Sequence, residues 1–153
     1  MERFDPDPIP LPAAIAAGEF SAAQLVFYDV DHSGASFTAP VFLDASDVGA
    51  ATPLDPEAGF AGSFVIFGHG GCAGDLGHCD VPEKRKDPFD SRPLHPLTPQ
   101  TKTVDITRAL ERLLGAGPVE ELRVSVLALL PGEEEARLGD VLFFSAMRLL
   151  AFD

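Results

Sequence analysis

Tryptophan is absent from this 153-residue chain, and it contains one tyrosine, two methionines and two cysteines. With only two cysteines it cannot be a disulfide-dense scaffold, so the fold must rest on an apolar core. Basic residues are also few, 11 against 24 acids, which leaves a net charge of −13. Such a balance repels phosphate backbones and anionic bilayers, so neither nucleic acid nor membrane is expected as a partner. No run of eighteen apolar residues occurs, and the opening MERFDPDPIP has neither the basic nor the apolar region of an export signal. As far as its own N-terminus decides, the chain is expected to stay in the cytoplasm. Also missing are internal repeats, low-complexity tracts and the alternating strands and helices of a doubly wound fold.

What is present is apolar content of 46%, enough for one good core and too little chain for a second. The expected division is a Pro-rich linker or N-terminal arm over residues 1–20 and a single domain over 21–153. In the arm, the repeated prolines of DPDPIPLP fix φ, remove donors and favour extended backbone. Such a stretch also suits the junction of a domain with a longer polypeptide.

Period-2 patterning dominates the domain. In ELRVSVLALL, Leu122, Val124, Val126, Ala128 and Leu130 share one face opposite Glu121, Arg123 and Ser125, as in a half-buried strand. AQLVFYDV and SFTAPVFL alternate similarly, and the DHSG between them supplies turn residues, which predicts a hairpin with Pro40 at an edge or a bulge. Further strands are expected over 62–68, 101–106 and 140–152. A single helix is predicted at TRALERLLGAG, with Thr107 as N-cap and Gly115 as the C′ stop. The expected fold class is therefore all-β: an antiparallel β-sandwich of six to seven strands with one short helix. Residues 80–100 hold Pro82, Pro88, Pro93, Pro96 and Pro99, the mark of a long, stiff, irregular loop. Lys84, Arg85, Lys86, Arg92 and Lys102 cluster in and beside it and read as a solvated counterweight to the acidic body.

Three motifs invite a chemical reading. DVDHSG places Asp29, Asp31, Ser33 and Gly34 like the start of a calcium loop, but Pro40 stands where the closing Glu belongs, so it reads as a turn. VIFGHGGC resembles the strand and HGG segment of an esterase oxyanion hole, yet no G-x-S-x-G nucleophile elbow exists. The third is FGHGGCAGDLGHCDVP, which gathers His69, Cys72, His78 and Cys79 into eleven positions. Thiolate and imidazole suit Cu(I) and Zn(II), and these four residues are the candidate metal ligands. The adjacency of His78 and Cys79 strains a four-ligand cage, while the glycines permit either such a site or a Cys72–Cys79 disulfide loop. Disulfide, free thiols, soft-metal site and a turn that binds nothing all remain open on spacing alone. His32 and His95 stand alone in turn and Pro-rich contexts and are expected to be exposed; Tyr28 is expected in the core.

The order FAGSFVIFGHG, a loop, and then TKTVDITRALERLLGAGPVEELRVSVLALLPG resembles the C-terminal domain of the tyrosinase and polyphenol oxidase family of type-3 copper proteins. LVFYDVDHSGASFTAPVFLD is similar to the hairpin that opens that domain, with VFYDV where plant members carry KFDV. The Gly-His-Cys loop and HPLTP resemble a segment that follows the catalytic domain in bacterial tyrosinase-like chains. The resemblance covers residues 24–152. It implies a β-sandwich that packs over a catalytic dicopper domain of the same or a neighbouring chain, shields or gates its active site and assists copper loading. Copper is the cofactor implied. A type-3 centre takes six histidines, carried mainly on a helical bundle, whereas this chain has four and one predicted helix. The oxidase is therefore not expected here, and the chain is read as an accessory domain rather than an enzyme. Two alternatives are a free-standing small copper- or zinc-binding protein and a purely structural module with a disulfide-stapled loop.

Overall fold

In the computed structural model, residues 2–32, 34–68, 89, 99–131 and 141–153 are described. The fold is all-β and sandwich-like. Its two main antiparallel sheets draw on β1 (Glu2–Phe4), β3 (Ala22–Val30), β4 (Phe37–Leu43), β5 (Phe60–Ile66), β6 (Gln100–Asp105), β8 (Val124–Ala128) and β9 (Ala146–Phe152). One sheet runs β1-β8-β4-β5 and the other β6-β3-β9, while the short β2 (Ile9–Pro10) and β7 (Glu121–Leu122) pair beside them. Residues of both sheets meet in one core: Leu25, Phe27 and Val104 from one, and Ala39, Val41, Phe64, Ile66 and Val126 from the other. The Phe27 and Phe64 rings lie 5.0 Å apart across it. Strand alternation accounts for the arrangement, since every second side chain of each strand enters the interior.

A smaller apolar cluster, Phe42, Val48 and Leu127 with Ala45, Phe60 and Leu129 packed against it, covers the other face of the four-stranded sheet. As a result β8 is buried on both faces, Ser125 included, and is not the half-buried strand its alternation suggested. Sequence alternation reports side-chain polarity, and here a buried serine lies among the apolar residues of the outer face.

The hairpin predicted for AQLVFYDV and SFTAPVFL, now β3 and β4, is not formed. β3 pairs with β6 and β9, and β4 pairs with β5 and β8, so the DHSG turn carries the chain from one sheet to the other. Pro40 is interior to its sheet rather than at an edge. It falls in a gap of the β4–β8 ladder, between the Thr38–Leu129 bridge and the Val41–Val126 pair, and the donor it lacks interrupts that ladder. A register shift does lie beside it, between Val41 and Phe42 on the β5 side. The 140–152 strand is shorter than expected and begins at Ala146.

The main helix, α2 (Thr107–Ala116), matches the expected stretch, but its ends differ. Thr107 is the first helical residue rather than the N-cap, and the helix runs through Gly115 to end at Gly117. The Thr107 hydroxyl donates to Asp105 Oδ1 (2.6 Å) and accepts the Ala23 N–H (2.9 Å), while Asp105 Oδ1 also accepts the Thr107 N–H (2.9 Å). Thr107 thus ties the start of the helix to β3, and these two bonds hold the Asp105 carboxyl below the usual carboxylate range, with Arg108 adding to the effect. A second helix, the four-residue α1 (Ala13–Ala16), was not expected from the sequence.

The N-terminal arm lies along the body. Glu2, Arg3 and Phe4 pair with Ala128, Leu127 and Val126, and Ile9 and Pro10 pair with Leu122 and Glu121.

Candidate interface at the base of the Gly-His-Cys loop

His69, Cys72, His78 and Cys79, together with His95 and the basic residues from Lys84 to Arg92, lie outside the described residues. What the structure does describe is the base from which residues 69–98 leave and return. β5 delivers the chain to that base. Phe64 and Ile66 turn inward, so Val65 and Phe67 face outward, where they are 45% and 79% exposed. Together Val65 and Phe67 leave apolar surface open where the loop departs, which suits contact with another protein.

Gly68 follows and rests on the β3–β4 connection. Its N–H donates to Ser36 Oγ (3.0 Å), and a Cβ at this position would stand 2.2 Å from the Gly34 carbonyl oxygen. Only glycine fits so close a backbone approach. The chain returns at Gln100, at the start of β6, whose Nε2 lies 3.3 Å from His32 Nδ1. The same connection therefore touches both ends of the base. His32, expected to be exposed, is 8% exposed. Its turn sits between the two sheets, so a side chain there points into the molecule.

The neighbouring acids are engaged locally. Asp29 stands at φ 53 where the β3–β6 register shifts, and its Oδ2 accepts a hydrogen bond from Ser145 Oγ. Aspartate tolerates this left-handed conformation better than most residues. Tyr28 is only half-buried, not in the core, with the Arg148 guanidinium 5.8 Å from its ring centre. Among the described residues no group of three or more His, Cys, Asp or Glu side chains is placed to hold a metal. The donor set of the candidate loop, two thiols and two imidazoles, fits a soft ion by its chemistry. No described helix is long and apolar enough to cross a membrane.

No family model matches the chain, and no curated protein matches it. Among solved structures it is similar to latent aurone synthase (polyphenol oxidase) from natural source, at a TM-score of 0.54 and 16% identity. The match covers 99% of this chain and 24% of that one. The chain has the fold of part of a polyphenol oxidase. Recombinantly expressed latent aurone synthase co-crystallised with hexatungstotellurate(VI) gives a TM-score of 0.53 and 18% identity over the same shares. At these identities the likeness is one of fold, and it agrees with the family resemblance carried by FAGSF and the segments around it. This chain spans about a quarter of the length of the polyphenol oxidases it matches.

Proposed function

We propose that this chain is the non-catalytic, C-terminal type of accessory domain of a tyrosinase-like copper oxidase. It shields the active site of a catalytic dicopper domain on the same or a neighbouring chain. The observation that carries this reading is the lopsided coverage: nearly all of this chain corresponds to about a quarter of a polyphenol oxidase. An accessory piece has that relation to a whole enzyme. The matched proteins are described as latent, and a covering domain is one way to hold an enzyme in such a state. In this chain the exposed Phe67 and Val65, at the base of the Gly-His-Cys loop, form the apolar contact that such a cover needs.

The finer part of the proposal concerns copper. Cys72 and Cys79, with His69 or His78, bind Cu(I) and pass it to the catalytic domain, because soft thiolates suit a cuprous ion and exchange quickly in an open site. Cu(I) titration of the reduced chain tests this, with the wild type compared against Cys72→Ser/Cys79→Ser. Uptake by the wild type alone is expected, and equal uptake by both would contradict the loading role.

A further inference from the structure

Phe67 has a counterpart on the other sheet. In the segment that leads into β9, Leu142 is 4% exposed and Phe144 meets the Phe27 ring edge-on at 5.2 Å. Phe143 lies between these two inward residues, so it faces out and is 61% exposed. Among the described residues, Phe67 and Phe143 are more open than every other large apolar side chain except Phe89. Both are firmly seated. The Phe143 carbonyl accepts the Asp31 N–H (3.0 Å) and the Ser145 N–H donates to the Tyr28 carbonyl (2.9 Å), which fixes the segment along β3. Gly68, directly after Phe67, donates its N–H to Ser36 Oγ at 3.0 Å. Asp31 and Ser36 begin and end the connection between β3 and β4, so one short stretch of chain seats both phenylalanines. Its five steps span at most about 18 Å when fully extended, which lies within the footprint of one interface of about 800 Å² per partner.

We infer that this end of the sandwich is the docking face for the catalytic dicopper domain, with Phe143 as a second anchor beside Phe67. The inference rests on the shielding function proposed above and names the surface through which it acts. The direction of the chain points to that occupant. Glu2 pairs with Ala128, at the finish of β8, and Leu129 beyond it bridges Thr38 near the start of β4. A domain joined ahead of Glu2 is therefore carried at the end where Phe67 and Phe143 stand. Hydrogen-bonded backbone already holds each ring open, so docking costs little ordering of the chain. The rings belong to different sheets, and a partner that covers both fixes the orientation of the whole sandwich. Such a partner presents two apolar hollows, one for each ring.

Calorimetric binding of this chain to the dicopper domain encoded with, or beside, it tests the face, alongside the rate of phenol oxidation. Phe143→Ala and Phe67→Ala are each expected to weaken binding about tenfold or more. Leu54→Ala, which removes a side chain 55% exposed in the β4–β5 connection at the opposite end, should stay within about twofold. Phe143→Glu, large but charged, should bind no better than Phe143→Ala. Both Phe143 variants should keep the wild-type denaturant midpoint, and a clearly lowered one would overturn the reading of Phe143 as an open anchor. Wild-type affinity in both would overturn the docking face while leaving the shielding intact. Tight binding that needs Phe143, without slower oxidation, would uphold the face and overturn the shielding. Self-association of the chain alone, lost in Phe143→Ala, would assign the face to a second copy and overturn the proposal, and absence of any binding by the wild-type chain would overturn both readings.

Discussion

Along β5, two phenylalanines three residues apart meet opposite environments. Phe64 faces Phe27 in the core and is almost fully buried, whereas Phe67 stands 79% exposed at the base of the Gly-His-Cys loop. The first is explained by the fold itself, because the two sheets need it to close their interior. Among the described residues, the second joins neither apolar cluster. An apolar side chain held open at the end of a rigid strand has its use in an encounter with another surface, and that is where the proposed function places it.

Substitutions should separate the two environments. The largest effect is expected from Phe27→Ala, which removes the ring at the centre of the core and should cost about 3–5 kcal/mol in denaturant unfolding. Phe67→Ala in the same assay should stay within about 0.5 kcal/mol, as surface changes do. A large loss there would mean that Phe67 serves the fold after all. Gly68→Ala lies between them, since its Cβ would press on the Gly34 carbonyl. A loss of about 1–3 kcal/mol is expected, read as a lower denaturant midpoint at unchanged slope.

A smaller effect concerns the arm. Burial raises the Asp5 carboxyl, but the hydrogen bond from Ser125 and the Arg3 guanidinium, 2.8 Å from Oδ2, outweigh it and leave it below its ordinary 3.8. A carboxyl lowered on folding adds stability that is fully present above about 3.8 and fades as pH falls through its lower folded value. Ser125→Ala should therefore cost about 1 kcal/mol at neutral pH and less at the acidic end of the titration. An equal cost at both ends would show that Asp5 is not the partner that matters. Asp105→Asn should remove a contribution of the same sign at the start of α2, present at neutral pH and fading as pH falls.

Local patterns identified most strands, because period-2 alternation and short apolar runs bounded by turn residues reflect burial that each strand experiences directly. They did not identify partners. DHSG has the chemistry of a hairpin turn whether the strands it joins pair or part, and the true neighbours of β3 begin at residues 100 and 146. Alternation alone puts Ser125 on the solvent face because its acceptor arrives from Asp5, and a lone turn histidine such as His32 reads as exposed because its contact comes from Gln100. Thr107 was recognised as a helix-start residue, but its hydroxyl serves β3, a contact that no capping pattern encodes. The candidate ligands His69, Cys72, His78 and Cys79 stood out by composition alone. The structure adds the Gly68, Gln100 and His32 contacts at the base of their loop.

The loop chemistry divides by mass. Mass measurement of the unreduced protein should show two free thiols under the copper-loading account, and a loss of two hydrogens would favour the stapled structural module instead.

The most direct test of the shielding role is the rate of phenol oxidation by the dicopper domain encoded with, or beside, this chain, measured alone and with the chain added. The account predicts a slower rate with the wild-type chain, and one partly restored when Phe67→Ala replaces it. An unchanged rate on adding the folded wild-type chain would contradict it.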